Sequence, residues 1–88
     1  MILEVSNITG IPVEVILGRS RDPEVSCVRQ LYWKILRDKK HYTFRRIAEL
    51  NERETSSIQL GIKRVNNLLD TGDSMAREFW NKIKAIER

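Results

Sequence analysis

The chain has 88 residues, 41 % hydrophobic and 32 % charged, and a formal net charge of +4. These values allow one domain with a modest core and argue against disorder. No apolar run is long enough for a membrane span, the N-terminus lacks the basic region and cleavage pattern of a secretory signal, and the single Cys27 has no second thiol for a disulfide or metal site, so a cytoplasmic protein is expected.

In chain order, Ile2, Val5 and Ile8 form a short helical stripe that stops at Gly10, and Pro12 suits the first turn of a second short helix. Val13, Ile16 and Leu17 supply the buried side of that helix, which Gly18 ends. A basic loop follows at residues 18–21, then Asp22 and Pro23, which read as an N-cap and the first helical residue. Val25, Val28, Leu31, Tyr32, Ile35 and Leu36 recur at three and four, the period of a long central helix with Arg29, Lys34 and Arg37 outside. It runs out near residues 39–41.

Residues 43–71 read as a helix-turn-helix. Phe44, Ile47, Ala48 and Leu50 mark one helical face, and Ile58, Ile62 and Val65 a second. In the polar run between them, Asn51 is expected in the left-handed turn conformation, and Ser56 with Gln59 forms an S-x-x-Q capping box. Ile58 lies eleven residues beyond Ile47, and the small Ala48 suits a close helix crossing. Leu68 and Leu69 carry the second helix to Thr71 and Gly72. Asp73 or Ser74 then caps a last helix bearing Met75, Phe79, Trp80, Ile83 and Ile86. No strand pattern, internal repeat or dividing linker competes with one all-α domain over residues 1–88.

Charge is unevenly spread. Residues 19–46 hold nine Lys/Arg against Asp22, Glu24 and Asp38, a net +6, which leaves −2 for the rest of the chain. Such asymmetry points to a basic face for a polyanion, with a merely solvated stripe as the bland alternative.

The runs V-S-N-I-T-G-I-P-V-E-V-I-L-G-R-S-R, V-R-Q, T-F-R-R-I-A-E-L and R-E-T-S-S-I together resemble the C-terminal DNA-binding domain of the bacterial chromosomal replication initiator DnaA, over residues 3–69. The resemblance implies a compact all-α fold of about six helices, Trp-repressor-like in its helix-turn-helix. It also implies sequence-specific binding of double-stranded DNA, related to replication initiation or its regulation. Arg21 would then enter the minor groove, while Glu54, Thr55, Ser56 and Ser57 face base edges in the major groove. Arg29, Gln30, Arg37 and Thr43 match positions that hold the DNA backbone. Lys39, Lys40, Arg45, Arg46 and Arg53 add candidate phosphate contacts by charge. The tip departs from the family, whose Gly-Gly-Arg-Asp-His-Thr-Thr is replaced by residues 51–57, one residue shorter and without either glycine. Base preference in the major groove is therefore expected to differ, with an A/T preference kept beside Arg21.

Each residue also has a structural reading. A Glu54 carboxylate suits the positive end of a helix whether or not it accepts from cytosine, and Ser56 has a hydroxyl to spend on the cap. His41 reads as a surface residue, and Trp33 and Trp80 as core or core-edge packing. There is no G-x-x-x-x-G-K-[ST] phosphate loop and no nucleophile, base and orienter trio, so neither enzyme activity nor a nucleotide, cofactor or metal is expected. Two alternatives differ in class. One is a protein interaction module, possible partners being replication or regulatory proteins, which a patch of Tyr42, Trp33 and Trp80 exposed together would favour. The other is a small transcription regulator, which symmetric half-sites would reveal.

Overall fold

A computed structural model describes residues 1–86. Among them six helices occur and no strand: α1 (Ile2–Thr9), α2 (Val13–Leu17), α3 (Pro23–Asp38), α4 (Phe44–Asn51), α5 (Thr55–Asp70) and α6 (Ser74–Ile83). The expected all-α class is what the chain adopts.

Local chemistry sets most boundaries. Gly10 closes α1 at φ 76°, a left-handed conformation with little penalty only for glycine, and its N–H donates to the Ser6 carbonyl. Asp22 caps α3 by accepting from the N–H groups of Glu24 and Val25, and Pro23 sits where no N–H is needed. Asp73 caps α6 by accepting from Ala76 at 2.9 Å. Pro12 is the residue before α2 rather than within it. The last helix ends at Ile83, so the predicted Ile86 lies past it. A tighter turn, with the Ile86 N–H on the Ile83 carbonyl, folds Ile86 back against the core.

α3 is the axis of the molecule and touches each of the other five helices. Val28, Leu31 and Ile35 on it are fully buried, together with Val5, Ile16, Ile47, Ile58, Val65, Ala76 and Ile83 from its neighbours. Burial of each large aliphatic side chain contributes roughly 1.5–3 kcal/mol, so this one cluster is the main stabilising feature. At about 1.5 Å per residue its 16 residues span roughly 24 Å, most of the 30 × 29 × 26 Å envelope. Lys34 lies at the edge, its ammonium 5.1 Å from the centre of the Trp80 ring and 2.7 Å from Asp38.

Ala48 is buried in the core, as a small residue at a helix contact should be, and a second small residue, Gly61 on α5, lies where α5 meets α3. A Cβ there would stand 2.6 Å from Cζ3 and 2.8 Å from Cε3 of Trp33. At the α3 to α5 contact a glycine is therefore laid against Cε3 and Cζ3 of an indole.

Three stripe assignments are corrected by the burial pattern. On α4, Leu50 is 55 % exposed and Asn51 is buried in its place, because 44, 47, 48 and 51 follow the helical period more closely than 50 does. The Asn51 amide is satisfied there, donating from Nδ2 to the Ile47 carbonyl at 2.8 Å. On α2, Leu17 and, on α1, Ile8 are more than a third exposed, leaving Ile16 and Val5 as the buried anchors.

Candidate nucleic-acid interface

α4 and α5 are joined by residues 52–54, the length of a helix-turn-helix turn. The left-handed residue is Glu52 (φ 53°), not Asn51, whose burial keeps it helical. The Arg53 N–H reaches back to the Ala48 carbonyl at 2.9 Å, closing α4 as a Schellman-type turn. The predicted capping box does not form. α5 begins two residues earlier than that box requires, at Thr55, with Glu54 as an N-cap whose side chain makes no capping bond. The Ser56 and Ser57 side chains consequently stand in the first turn of α5, exposed with Glu54 and Thr55.

Two arginines tie this turn to the basic loop at residues 18–21, and a third, on α3, braces the loop and the end of α2. Arg53 donates from Nη1 to its neighbour Asn51 at 3.2 Å and from Nη2 to the Gly18 carbonyl. Arg19 donates in the opposite direction, from Nη2 to the Glu52 carbonyl at 3.3 Å. Arg29, only 8 % exposed, donates from Nε to Ile16 at 2.7 Å, from Nη1 to Ser20 at 3.1 Å and from Nη2 to Val15 at 3.5 Å. The Ile16 carbonyl, left over at the end of the short α2, is thus satisfied by a guanidinium. Burial, then the nearby Arg53 and Arg19 charges, lower the pKa of Arg29; burial and Arg19 lower that of Arg53 against the opposing Glu52 carboxylate.

Arg29 is thereby corrected as a phosphate contact. It lies inside the fold and spends its donors on α2 and on the loop that carries Arg21. Arg53 is half-buried, 5.7 Å from the Trp33 ring, and is likewise engaged in joining loop to turn. The remaining expected residues are at the surface. Arg21 is exposed and lines a groove with Gln30 of α3 and Arg64 of α5. Thr43 caps α4, its Oγ1 accepting from the Arg46 N–H at 3.1 Å. Arg37 bonds the Tyr42 carbonyl at 3.1 Å and stacks 4.3 Å from the Phe44 ring, while Arg46 lies 4.6 Å from the Tyr42 ring. Arg45 pairs with Glu49 at 3.3 Å. Lys39, Lys40 and His41 are exposed at the same corner, with His41 left-handed at φ 59°.

The basic segment, continuous in sequence, is therefore divided between the two ends of α3. Arg19 and Arg21 precede it, with Arg29 bonded back to their loop; Arg37, Lys39, Lys40, Arg45 and Arg46 lie in its last turn and beyond its other end. α4 runs between the two.

Sequence inspection passed over the rest of the exposed α5 face: Gln59, Leu60, Lys63, Arg64 and Asn67. The signal was available, since 56, 59, 60, 63 and 67 repeat at three and four on the side opposite Ile58, Ile62 and Val65. The three aromatics do not form a common patch: Trp33 is buried, and Tyr42 and Trp80 are half-buried beneath Arg46 and Lys34. Among the described residues no cluster of three or more His, Cys, Asp or Glu suits a metal ion, and no helix is long and apolar enough to cross a membrane.

In comparisons with family models, curated proteins and solved structures, nothing matches the chain.

Proposed function

We propose that the chain is a non-enzymatic module that binds double-stranded DNA in a sequence-dependent way, inserting the first turns of α5 into a major groove with Arg21 directed at the adjacent minor groove. The observation that carries this reading is the bonding of the loop to the helix turn, Gly18 to Arg53 and Glu52 to Arg19, across more than thirty residues. It presents Arg21 and the Glu54, Thr55, Ser56 and Ser57 side chains from one rigid unit. Polar groups of this kind suit base edges, and the exposed cations suit phosphates. The second basic cluster, at the far end of α3, would meet backbone several base pairs away. The motif resemblance to the DnaA C-terminal domain supports a setting in replication initiation or its regulation, with a replication or regulatory protein as a further partner.

Selection of bound sequences from a random duplex pool tests the reading. An enriched motif is expected, and binding to it should weaken with salt at a log–log slope of roughly −4 to −6, from about four to seven neutralised phosphates. No enrichment together with a slope near zero overturns it.

A further inference from the structure

We infer that Leu60 is a specificity-determining residue that reads the C5-methyl group of a thymine in the major groove. The inference rests on the duplex-binding reading above. Leu60 is 67 % exposed in the middle of α5, whose buried side is already supplied by Ile58, Gly61, Ile62 and Val65. Helix formation does not ask for it either, because Lys, Arg or Gln serve an exposed helical position about as well. Its neighbours on the exposed face are Ser56 one turn before, Gln59 beside it, and Lys63 and Arg64 one turn after. A groove lined by Leu60, Lys63, Arg64 and Asn67 runs along this side.

Charge decides what covers it. From Thr55 to Leu69 α5 carries no acidic residue, and its only ionised side chains are Lys63 and Arg64. The occupant must therefore offer an apolar group set among negative charges. A DNA major groove does so: the thymine methyl is the apolar feature of its floor, and phosphates line both edges. Leu60 lies five residues into α5 from Thr55, about 7–8 Å along the axis, a distance shorter than the roughly 12 Å groove width. Lys63 and Arg64, one turn on, would stand toward the phosphates while the leucine methyls stand toward the bases.

The experiment uses the whole chain and the duplex enriched by selection. Each thymine is replaced in turn by deoxyuridine, which removes the methyl and keeps every hydrogen-bonding group. At one position the replacement should weaken wild-type binding about three- to tenfold, the scale of one or two buried methyl-sized groups. Leu60→Ala and Leu60→Gln should bind the thymine duplex about as weakly as wild type binds the deoxyuridine duplex, and should show almost no further loss on the replacement. Their melting temperatures should match wild type, since the side chain supports no packing. The inference is overturned if every thymine tolerates the change, or if both variants keep the wild-type penalty, because another side chain would then be reading the methyl. Salt-sensitive binding without any methyl effect would defeat this inference alone; absence of duplex binding under all salts would defeat the reading beneath it as well.

Discussion

Arg53 and Gly18 are joined by a hydrogen bond from Nη2 to the carbonyl oxygen, 35 residues apart in sequence. With the Arg19 bond to Glu52 running the other way, the loop and the helix turn become one structural unit. A charged donor bonded to a half-buried carbonyl contributes about 1.5–3 kcal/mol.

Arg53→Ala is accordingly expected to lower stability in urea by about 1–3 kcal/mol. Arg53→Lys should recover little of this, because an ammonium cannot serve Asn51 and Gly18 together with the planar geometry of a guanidinium. Full rescue by lysine would mean that charge, not the fork of bonds, joins loop to turn.

Arg29 and Arg21 should separate cleanly. Removal of Arg29 takes a charged donor from the Val15 and Ile16 carbonyls of α2 and from the Ser20 carbonyl of the loop, of which Val15 and Ser20 keep the Gly18 N–H and the Ser26 hydroxyl, so Arg29→Ala should destabilise by about 1–3 kcal/mol, and the folded fraction should retain the wild-type salt slope of duplex binding. Arg21→Ala should leave stability within about 0.5 kcal/mol and make the slope shallower by about 0.9. Thermal melts and salt titrations on the two variants check both. A shallower slope with an unchanged melt for Arg29→Ala would return it to the DNA surface.

At Gly61 two effects oppose each other. Alanine improves helix propensity by about 1 kcal/mol, but its Cβ would enter the Trp33 ring at 2.6 Å. That ring is 5 % exposed, and its Nε1 has no hydrogen-bonding partner among the described residues, so no hydrogen bond fixes its place. Overpacking of this kind costs about 1–3 kcal/mol and should win, with Gly61→Ala melting several degrees below wild type. A rise in melting temperature would show that the indole moves aside freely.

The Cys27 thiol is pushed from its ordinary value of 9.0 up to about 11, first by burial and then by the Asp73 charge. Between those values the folded chain keeps the proton and the unfolded chain gives it up, so stability should fall as pH rises from 9 to 11. Tyr32 shifts in the same direction, mainly by burial, and adds to the fall. Urea midpoints measured across this interval should decline more steeply for wild type than for Cys27→Ala. Parallel curves would show that the thiol carries none of it.

What the sequence determined by itself is whatever depends on neighbours a few residues away. The Asp22 cap, a cap at Asp73 or Ser74, Pro23 at the start of α3, the helix stop at Gly10, and the three-and-four stripes of α3 and α5 are local chemistry, and they sufficed to place six helices; of the tip expected to be exposed at residues 53–57, Glu54 to Ser57 are exposed and Arg53 is half-buried. The tertiary structure decided matters that turn on partners distant in the chain. Arg29 reads as one more outward cation until α2 and the loop offer it Ile16, Val15 and Ser20 as acceptors. Asn51 rather than Leu50 goes inside because a helix rotates only as far as its packing on α5 and α3 allows, and the burial of Asn51 then passes the left-handed position to Glu52. Gly61 looks like a weakness in a helix until Trp33 lies against it. The basic segment likewise divides between the two ends of α3, because the side chains that follow each other in sequence are separated by the length of the helix they share.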